Sequence, residues 1–183
     1  MRINQYLCGQ EFLCAPSSRV VEQTLAILRK EKINETNRTG VTQQLRNLFG
    51  PILQNNGWKQ NFPIDSSVSS NDYASFFIDF YLDTPSESCG HGHRFLLQFM
   101  FDNRQAIGTN LLKFDIASRN AALRERQTTS IALCVEKSRV RQLGWDGSAA
   151  SAQEYIDAVL GPYNKVITNI PVIFAIDNLT QEE

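Results

Sequence analysis

The chain has 183 residues, which is the length of one ordinary domain. Its composition (42% hydrophobic, 10% aromatic and 20% charged) is typical of a soluble globular protein and excludes disordered, collagenous and fibrous classes. No apolar run approaches the roughly 20 residues that cross a bilayer, and the N-terminus lacks the apolar stretch of a secretory signal. The four cysteines show no paired spacing. We therefore expect a cytoplasmic protein with a single domain over residues 1–183, including an N-terminal arm over residues 1–17.

The net charge of −1 argues against a protein that binds polyanions over its whole surface, but the charges occur in blocks. Residues 1–59 and 94–141 carry net charges of +4 and +5, whereas residues 60–93 and 142–183 each carry −5. Such blocks are compatible with a basic DNA-binding cleft that contains a carboxylate metal site. On charge alone, ordinary scatter over a soluble surface is the simpler interpretation.

The first half of the chain predicts two helices, a loop and a strand. Apolar residues at three-to-four spacing predict a helix over residues 18–30 and a second over residues 42–56. Pro51 lies inside the second pattern and predicts a kink or a split there. The polar stretch over residues 61–72 predicts a loop, and the aromatic and branched residues 74–82 predict a strand.

The second half of the chain predicts alternating strands and helices. The near-continuous apolar run RFLLQFMF is typical of a strand buried on both faces, and residues 83–93 before it predict a connection. In chain order we predict a strand over 94–101, a helix over 103–123, a strand over 130–136, a helix over 151–160 and a strand over 170–176. This order, without an internal repeat, indicates one mixed α/β domain.

Common catalytic signatures are absent from the sequence. It contains no phosphate-binding loop, dinucleotide fingerprint, HExxH, CxxC or G-x-S-x-G motif. The loop CGHGH offers a soft-metal site through Cys89, His91 and His93. Because zinc normally requires a fourth ligand or a water, incidental Cys and His in an exposed loop is the favoured interpretation.

Asp79 is the most informative acidic residue. It lies among apolar residues in FFIDF, in a strand expected to be largely buried, where an unpaired carboxylate is costly. A metal site, a cleft, the solvated side of an edge strand and pairing with Arg94 all remain open. On the next strand Gln98 is the polar residue, and by period two it shares a face with Leu96 and Met100.

Several stretches, in this order, resemble the BglII/BstYI group of type II restriction endonucleases, in the PD-(D/E)XK nuclease superfamily. They are TGVTQQLRNLFGPILQNNGW, FFIDF, QFMFDNRQAIGTNLLKFDIA and SIALCVEKSRVRQLGWDGSAASAQEYIDAVLGPYNKVITNIPVIFAI, and they span residues 39–176. The resemblance implies a restriction-endonuclease-like core, in which a central mixed sheet is flanked by helices. It also implies a homodimeric, magnesium-dependent endonuclease that cuts both strands of a short palindrome.

The resemblance places three residues in the catalytic motif. Asp79 takes the role of the first metal ligand. Gln98 falls where the family has its metal-binding Glu, and Met100 where it has the Gln or Glu that serves in place of the superfamily Lys. A neutral amide binds magnesium far more weakly than a carboxylate does. The resemblance therefore predicts a nuclease-like fold in which metal-dependent hydrolysis of DNA is impaired.

The resemblance also implies a DNA-contacting surface. Asn103 and Arg104 fall at the start of the helix that faces DNA, where Asn reads base edges and Arg contacts bases or phosphates. Ser148 and Ser151 belong to a Gly-Ser/Ala loop that is expected near the other DNA-contacting edge of the protein. We expect further phosphate contacts from Lys113, Arg119, Lys137 and Arg139. Each of these residues is equally explained as a charge that contacts only solvent.

Three functions remain open on the sequence. The first is a restriction-endonuclease homologue that binds double-stranded DNA with weakened hydrolysis. The second is an active magnesium-dependent endonuclease with a relocated acid, for which the candidates are Asp83, Glu87 and Asp102. The third is a structural or interaction protein on a nuclease fold that does not contact DNA. We rank them in this order, and we expect no interaction with a membrane.

Overall fold

The computed structural model describes residues 2–6, 15–30, 41–64, 77–85, 92–101, 103–122, 126–140 and 148–178. The strands in these residues are β1 (Arg2–Tyr6), β2 (Lys59–Pro63), β3 (Phe77–Thr84), β4 (His93–Phe99), β5 (Gln127–Val135) and β6 (Val172–Asn178). The helices are α1 (Ala15–Arg29), α2 (Val41–Asn55), α3 (Ile107–Ala122), α4 (Lys137–Val140) and α5 (Ala152–Leu160), and a 3-10 turn (Arg104–Ala106) precedes α3. None of the helices in these ranges is long and apolar enough to cross a membrane.

The strands form one mixed sheet in the order β1-β6-β5-β4-β3-β2. β4, β5 and β6 run parallel, whereas β3 and β2 continue the sheet antiparallel on one side and β1 pairs antiparallel with β6 on the other. Because parallel strands end at the same edge, Phe99, Val135 and Asn178 mark what we call the carboxyl edge of the sheet. In open α/β sheets this edge is where ligands usually bind.

Helices cover both faces of the sheet because the side chains of a strand alternate between the faces. On one face, Phe95, Leu97 and Phe99 of β4 pack with Leu45 and Phe49 of α2. The opposite face packs against α3 and α5, through Leu96, Leu111, Phe114, Tyr155 and Ile173. Residues 94–100 are buried, which confirms the prediction of a strand covered on both faces.

Gly57 and Trp58 form the turn that ends α2. The N–H of Trp58 donates to the carbonyl of Leu53 at 3.0 Å, and Gly57 has a φ of 87°, the left-handed conformation that ends helices. The predicted split at Pro51 does not occur: α2 continues through this residue, which is exposed.

Two of the observed strands, β1 and β2, were not predicted. The N-terminal arm contributes a strand, because Arg2–Tyr6 pairs with β6, and its polar sequence RINQY lacks the alternation that would have predicted a strand. The predicted loop over residues 61–72 begins within β2, which extends to Pro63. β2 is an edge strand with mostly exposed side chains, so its composition is that of a loop.

One ion-pair network joins β3 to β4 and to the residue before β5. Arg94 donates to both carboxylate oxygens of Asp83, at 2.7 and 2.9 Å, and its guanidinium lies 4.5 Å from the centre of the Phe62 ring. Arg126 reaches the same carboxylate at 2.9 Å. Burial alone would raise the pKa of Asp83, but the hydrogen bonds and charges of Arg94 and Arg126 outweigh it and lower the pKa.

The second network fixes the turn before β6 to α3. The carboxylate of Asp115 accepts hydrogen bonds from the N–H and hydroxyl of Thr168, both at 2.7 Å, and from the N–H of Asn169 at 3.3 Å. Arg119, one turn further along α3, pairs with the other oxygen at 2.8 Å. Burial opposes ionisation of Asp115, but these donors prevail and lower its pKa.

Candidate functional site at the carboxyl edge of the sheet

Asp79 and Gln98 lie side by side where the pairing of β3 with β4 ends. The last paired residues are Phe80 and Leu97. Beyond them, the N–H of Asp79 donates to Oε1 of Gln98 at 3.1 Å, and the N–H of Phe99 donates to Oδ2 of Asp79 at 2.8 Å. Side chains therefore replace the backbone hydrogen bonds of the sheet at this point, and the two residues face each other.

The backbone is irregular on the other side of Asp79 as well. By register, Asn61 of β2 lies opposite Asp79, and it is the non-glycine residue with a positive φ, 58°, among those described. Asn tolerates this conformation better than other residues because its side chain bonds locally. Departures of this kind often occur at functional sites.

Arg46 is the residue of the site that the sequence analysis missed. It lies on α2, and its Nη1 donates to Oδ1 of Asp79 at 3.0 Å. Its guanidinium also lies 5.7 Å from the centre of the Phe99 ring. The only sequence signal is a basic residue beside the buried residues Leu45 and Phe49, which is equally typical of a solvated helix flank.

The carboxylate of Asp79 is held between opposing influences. Burial raises the pKa of Asp79 above its ordinary value, and it outweighs the charge and hydrogen bond of Arg46, the N–H of Phe99 and the charge of Lys113, which all lower it. Arg46 comes from the helical layer on one face and Lys113 from α3 on the other. Two cations therefore act on a single carboxylate. Arg94, which the sequence left open as one possible partner of Asp79, pairs with Asp83 instead.

Met100 does not line this site. Its side chain is fully buried in the apolar cluster under α3 and α5, and its N–H donates to the carbonyl of Leu133 at 2.8 Å. In this conformation Met100 packs the core and presents no atom to a bound substrate. Gln98, which is 4% exposed, is nearly as buried but uses its amide on Asp79.

Asn103 and Arg104 lie at the carboxyl edge, directly before α3. Oδ1 of Asn103 accepts from the N–H of Ala106 at 3.2 Å and caps the 3-10 turn, and Asn103 forms an isolated bridge with Ala149. The N–H of Arg104 donates to the carbonyl of Ser148 at 2.9 Å. The structure thus brings three of the predicted DNA contacts together at the edge, and all three are exposed.

Ser151 belongs to the same cluster but is 1% exposed. It begins α5 through a capping box, in which its hydroxyl and N–H bind Oε2 of Glu154 at 2.9 and 2.8 Å. Oε1 of Glu154 pairs with Arg104. A direct DNA contact by Ser151 therefore requires this cap to open, whereas Glu154 couples the start of α5 to Arg104.

The remaining basic candidates have different surroundings. Lys137 and Arg139 lie on α4, which follows β5 at the carboxyl edge, and Nε of Arg139 is 3.5 Å from a carboxylate oxygen of Asp177. Lys137 is exposed. Arg119 is engaged by Asp115, in the network that holds the turn before β6.

The alternative acids do not complete a site in the described residues. Asp83 lies four residues along β3 from Asp79, about 13 Å at the rise of a strand, and two arginines engage it. It cannot bind the same ion as Asp79 in this arrangement. Glu87 and Asp102 lie outside the described residues.

The soft-metal hypothesis receives no support from His93. Its Nε2 lies 2.8 Å from the hydroxyl of Thr129, its ring stacks on Phe95 with centroids 4.5 Å apart, and burial lowers its pKa. Cys89 and His91 lie outside the described residues. Within the ranges that the structure describes, no three His, Cys, Asp or Glu residues converge as a set of metal ligands.

The described donors do not fit magnesium. The ion selects charged oxygen ligands, and here one carboxylate stands beside one neutral amide. Oδ1 of Asp79 is taken by Arg46, Oδ2 by the N–H of Phe99, and Oε1 of Gln98 by the N–H of Asp79. A bound ion would have to displace a guanidinium from the only carboxylate that these residues supply at the position.

No family model matches the chain, and no curated protein matches it. Among solved structures, it is similar to the crystal structure of restriction endonuclease BglII complexed with a DNA 16-mer, with a TM-score of 0.61 and 15% sequence identity. The match covers 97% of this chain and 78% of that chain. At this identity the likeness concerns the fold alone, and it confirms the predicted fold class. The chain has a restriction-endonuclease-like fold, in which a six-stranded mixed sheet is flanked by helices.

Proposed function

We propose that this protein binds double-stranded DNA at the carboxyl edge of its sheet and hydrolyses phosphodiesters weakly, if at all. The observation that carries the proposal is Asp79, held on a nuclease-like sheet opposite a neutral amide and paired with Arg46. The similar BglII structure is a complex with DNA, and the proposal extends that class of ligand to this chain.

The weakened hydrolysis is a consequence of the donor set. A metal-dependent nuclease needs an ion that activates water and stabilises the charge that develops on phosphate. Asp79 and Gln98 together carry one negative charge, which the guanidinium of Arg46 already neutralises. Since each roughly 1.4 kcal/mol of barrier is a factor of ten in rate, loss of one charged ligand removes orders of magnitude.

The DNA contact is proposed from the basic and amide side chains at the carboxyl edge. Asn103 and Arg104 before α3, Lys113 on α3, and Lys137 and Arg139 on α4 approach this edge from different elements. Cations contribute to affinity by releasing counterions from the phosphates, whatever the base sequence. Asn103 is the candidate for reading base edges.

A gel shift on duplex DNA at increasing salt tests the binding. We expect an affinity that falls steeply with salt, and Lys113→Gln and Lys137→Gln should each reduce the slope of log affinity against log salt by about one. Lys165→Gln is the matched control: Lys165 is exposed, but it follows α5 and precedes β6, at the opposite edge of the sheet. Absence of any salt-dependent binding would favour an interaction protein that does not contact DNA.

A plasmid nicking assay with magnesium or manganese tests the impaired chemistry. We expect at most slow nicking at high protein concentration, and robust double-strand cleavage would overturn this part of the proposal. If cleavage is observed, Asp79→Ala should abolish it. Loss of cleavage on changing Glu87 or Asp102 would then identify a relocated acid.

We also propose a homodimer, because a two-fold protein matches the two-fold symmetry of a palindromic site. Sedimentation of the protein alone and with a DNA duplex tests this. The expected result is two chains per duplex, and one chain per duplex would contradict it.

A further inference from the structure

The oxygens of Asp79 are both taken by groups of the chain itself. Oδ1 accepts from Nη1 of Arg46 at 3.0 Å, and Oδ2 accepts from the N–H of Phe99 at 2.8 Å. Gln98 faces Asp79, and its Oε1 accepts a hydrogen bond from the N–H of Asp79. The position at which a carboxylate would hold a divalent ion therefore already contains a cation.

We propose that Arg46 is a resident cation that replaces a divalent ion at Asp79, and that it binds a DNA backbone phosphate without metal. The second half of this inference rests on the proposed function, whereas the first half does not. The nuclease-like fold does not itself supply this activity, in which a guanidinium positioned by a partly buried carboxylate recognises phosphate.

The packing of Arg46 supports a fixed position. Its neighbours Leu45 and Phe49 on α2 are fully buried against the sheet, and its guanidinium lies near the ring of Phe99 as well as the carboxylate of Asp79. The side chain is still 34% exposed, so solvent and ligands reach it. A cation held on two sides and open on a third is suited to binding an anion.

The chemistry of the guanidinium supports phosphate as that anion. Arginine carries five N–H donors in a rigid fork, which matches phosphate oxygens, and the described bond to Asp79 uses Nη1. The charge of Lys113 also acts on Asp79 from the opposite helical layer. Arg46 alone already balances the charge of the one carboxylate, so a second cation gains no net attraction there.

A cycle of four proteins tests the resident cation without DNA. Manganese binding is measured by electron paramagnetic resonance on the wild type, Arg46→Met, Gln98→Glu and the double variant. We expect no saturable binding by the wild type, and at least tenfold tighter binding by the double variant than by Gln98→Glu alone, because the guanidinium no longer competes. Equal affinities of wild type and double variant would overturn the inference, as would a double variant that gains nothing over Gln98→Glu.

Arg126→Met in the Gln98→Glu background is the matched control. Arg126 is 39% exposed and also pairs with an aspartate of β3, but its partner Asp83 lies four residues away from Asp79. It should leave manganese affinity within twofold of Gln98→Glu. Circular dichroism and unfolding curves establish that each variant is folded. If the Arg46→Met double variant does not fold, Arg46→Gln, which retains a hydrogen bond to Asp79 without the charge, takes its place with the same expected tenfold gain.

The phosphate contact is tested by gel shift with EDTA or with magnesium in the buffer. We expect the wild-type Kd to be the same within twofold in both, and Arg46→Met to weaken binding about tenfold and to reduce the salt slope by about one. Arg126→Met should change the Kd by less than twofold. Binding that requires magnesium would overturn the metal-free contact. A wild type that binds no DNA would overturn the proposed function and the phosphate contact, whereas the manganese cycle would still decide whether Arg46 is a resident cation.

Discussion

The side-chain oxygen of Gln98 accepts a hydrogen bond from the backbone N–H of Asp79 at the point where β3 and β4 stop pairing. The resemblance treated Gln98 only as the residue that replaces a catalytic Glu. The structure gives its amide a structural role. It satisfies a backbone donor of a strand in place of a carbonyl of the neighbouring strand, in a region where Gln98 itself is almost fully buried.

Gln98→Ala should lower the free energy of unfolding by about 1–3 kcal/mol, because it leaves the N–H of Asp79 without its acceptor and removes a buried side chain. Urea unfolding measures the loss. The matched control is Gln153→Ala on the exposed face of α5, where Gln153 bonds to Asp157, and it should stay within about 0.5 kcal/mol of wild type. Equal effects of the two substitutions would contradict the assigned role.

Asp83→Asn should destabilise the protein by roughly 1–3 kcal/mol, since it leaves the nearly buried guanidinium of Arg94 with a weaker, uncharged acceptor. Because Asp83 is remote from Asp79, the same change should leave the DNA affinity within twofold of wild type. Unfolding curves and gel shifts on one preparation check both expectations. A change in DNA affinity without a change in stability would contradict this expectation and would indicate that Asp83 takes part in DNA binding.

Asp115→Asn should lower stability at neutral pH, by about 1–3 kcal/mol, because the carboxylate accepts three hydrogen bonds from Thr168 and Asn169. The folded pKa of Asp115 is lowered, so its contribution is fully present above the unfolded pKa of about 3.9 and is lost as the pH falls through the folded value. The difference between wild type and variant should therefore shrink below about pH 4. A difference that is constant with pH would contradict this assignment.

Substitutions of Glu154 distinguish its effect on the start of α5 from its effect on Arg104. Glu154→Gln preserves a capping-box residue but removes the charge, so stability should change by less than about 0.5 kcal/mol. Glu154→Ala also removes the acceptor for the N–H and hydroxyl of Ser151 and should cost about 1 kcal/mol. In gel shifts both variants should bind DNA more tightly than wild type, since an acid is lost from the proposed contact surface. Weaker binding by both would show that Arg104 acts only when Glu154 positions it.

The sequence predicted the buried elements well and the exposed ones poorly. Residues 94–101 and 170–176 carry apolar runs that burial on both faces requires, and both contain strands. Arg2–Tyr6 and Lys59–Pro63 lie at the two edges of the sheet, and both carry mainly polar or exposed side chains. Their pairing depends on backbone hydrogen bonds with distant residues, which leave little trace in local composition.

Two residues of the candidate site, Asp79 and Gln98, were predictable from the sequence, but the cation that pairs with Asp79 was not. Asp79 stands out because a charge within an apolar strand needs a partner, and Gln98 because it interrupts the next strand. The partner itself was not predictable: Arg94 is nearer along the chain and was the named alternative, whereas Arg46 is 33 residues away on a helix. Which cation reaches a carboxylate is decided by how helices lie on the sheet, and residue spacing does not encode that.

The pairing of β1 with β6 has a consequence for synthesis of the chain. Arg2 aligns with Asn178, so β1 must wait until β6 has been synthesised before its backbone groups find their partners. Contacts between such distant positions form late and slowly. Until β6 is synthesised, β1 is therefore a strand without its partner, at which a chaperone or a second nascent chain has time to act.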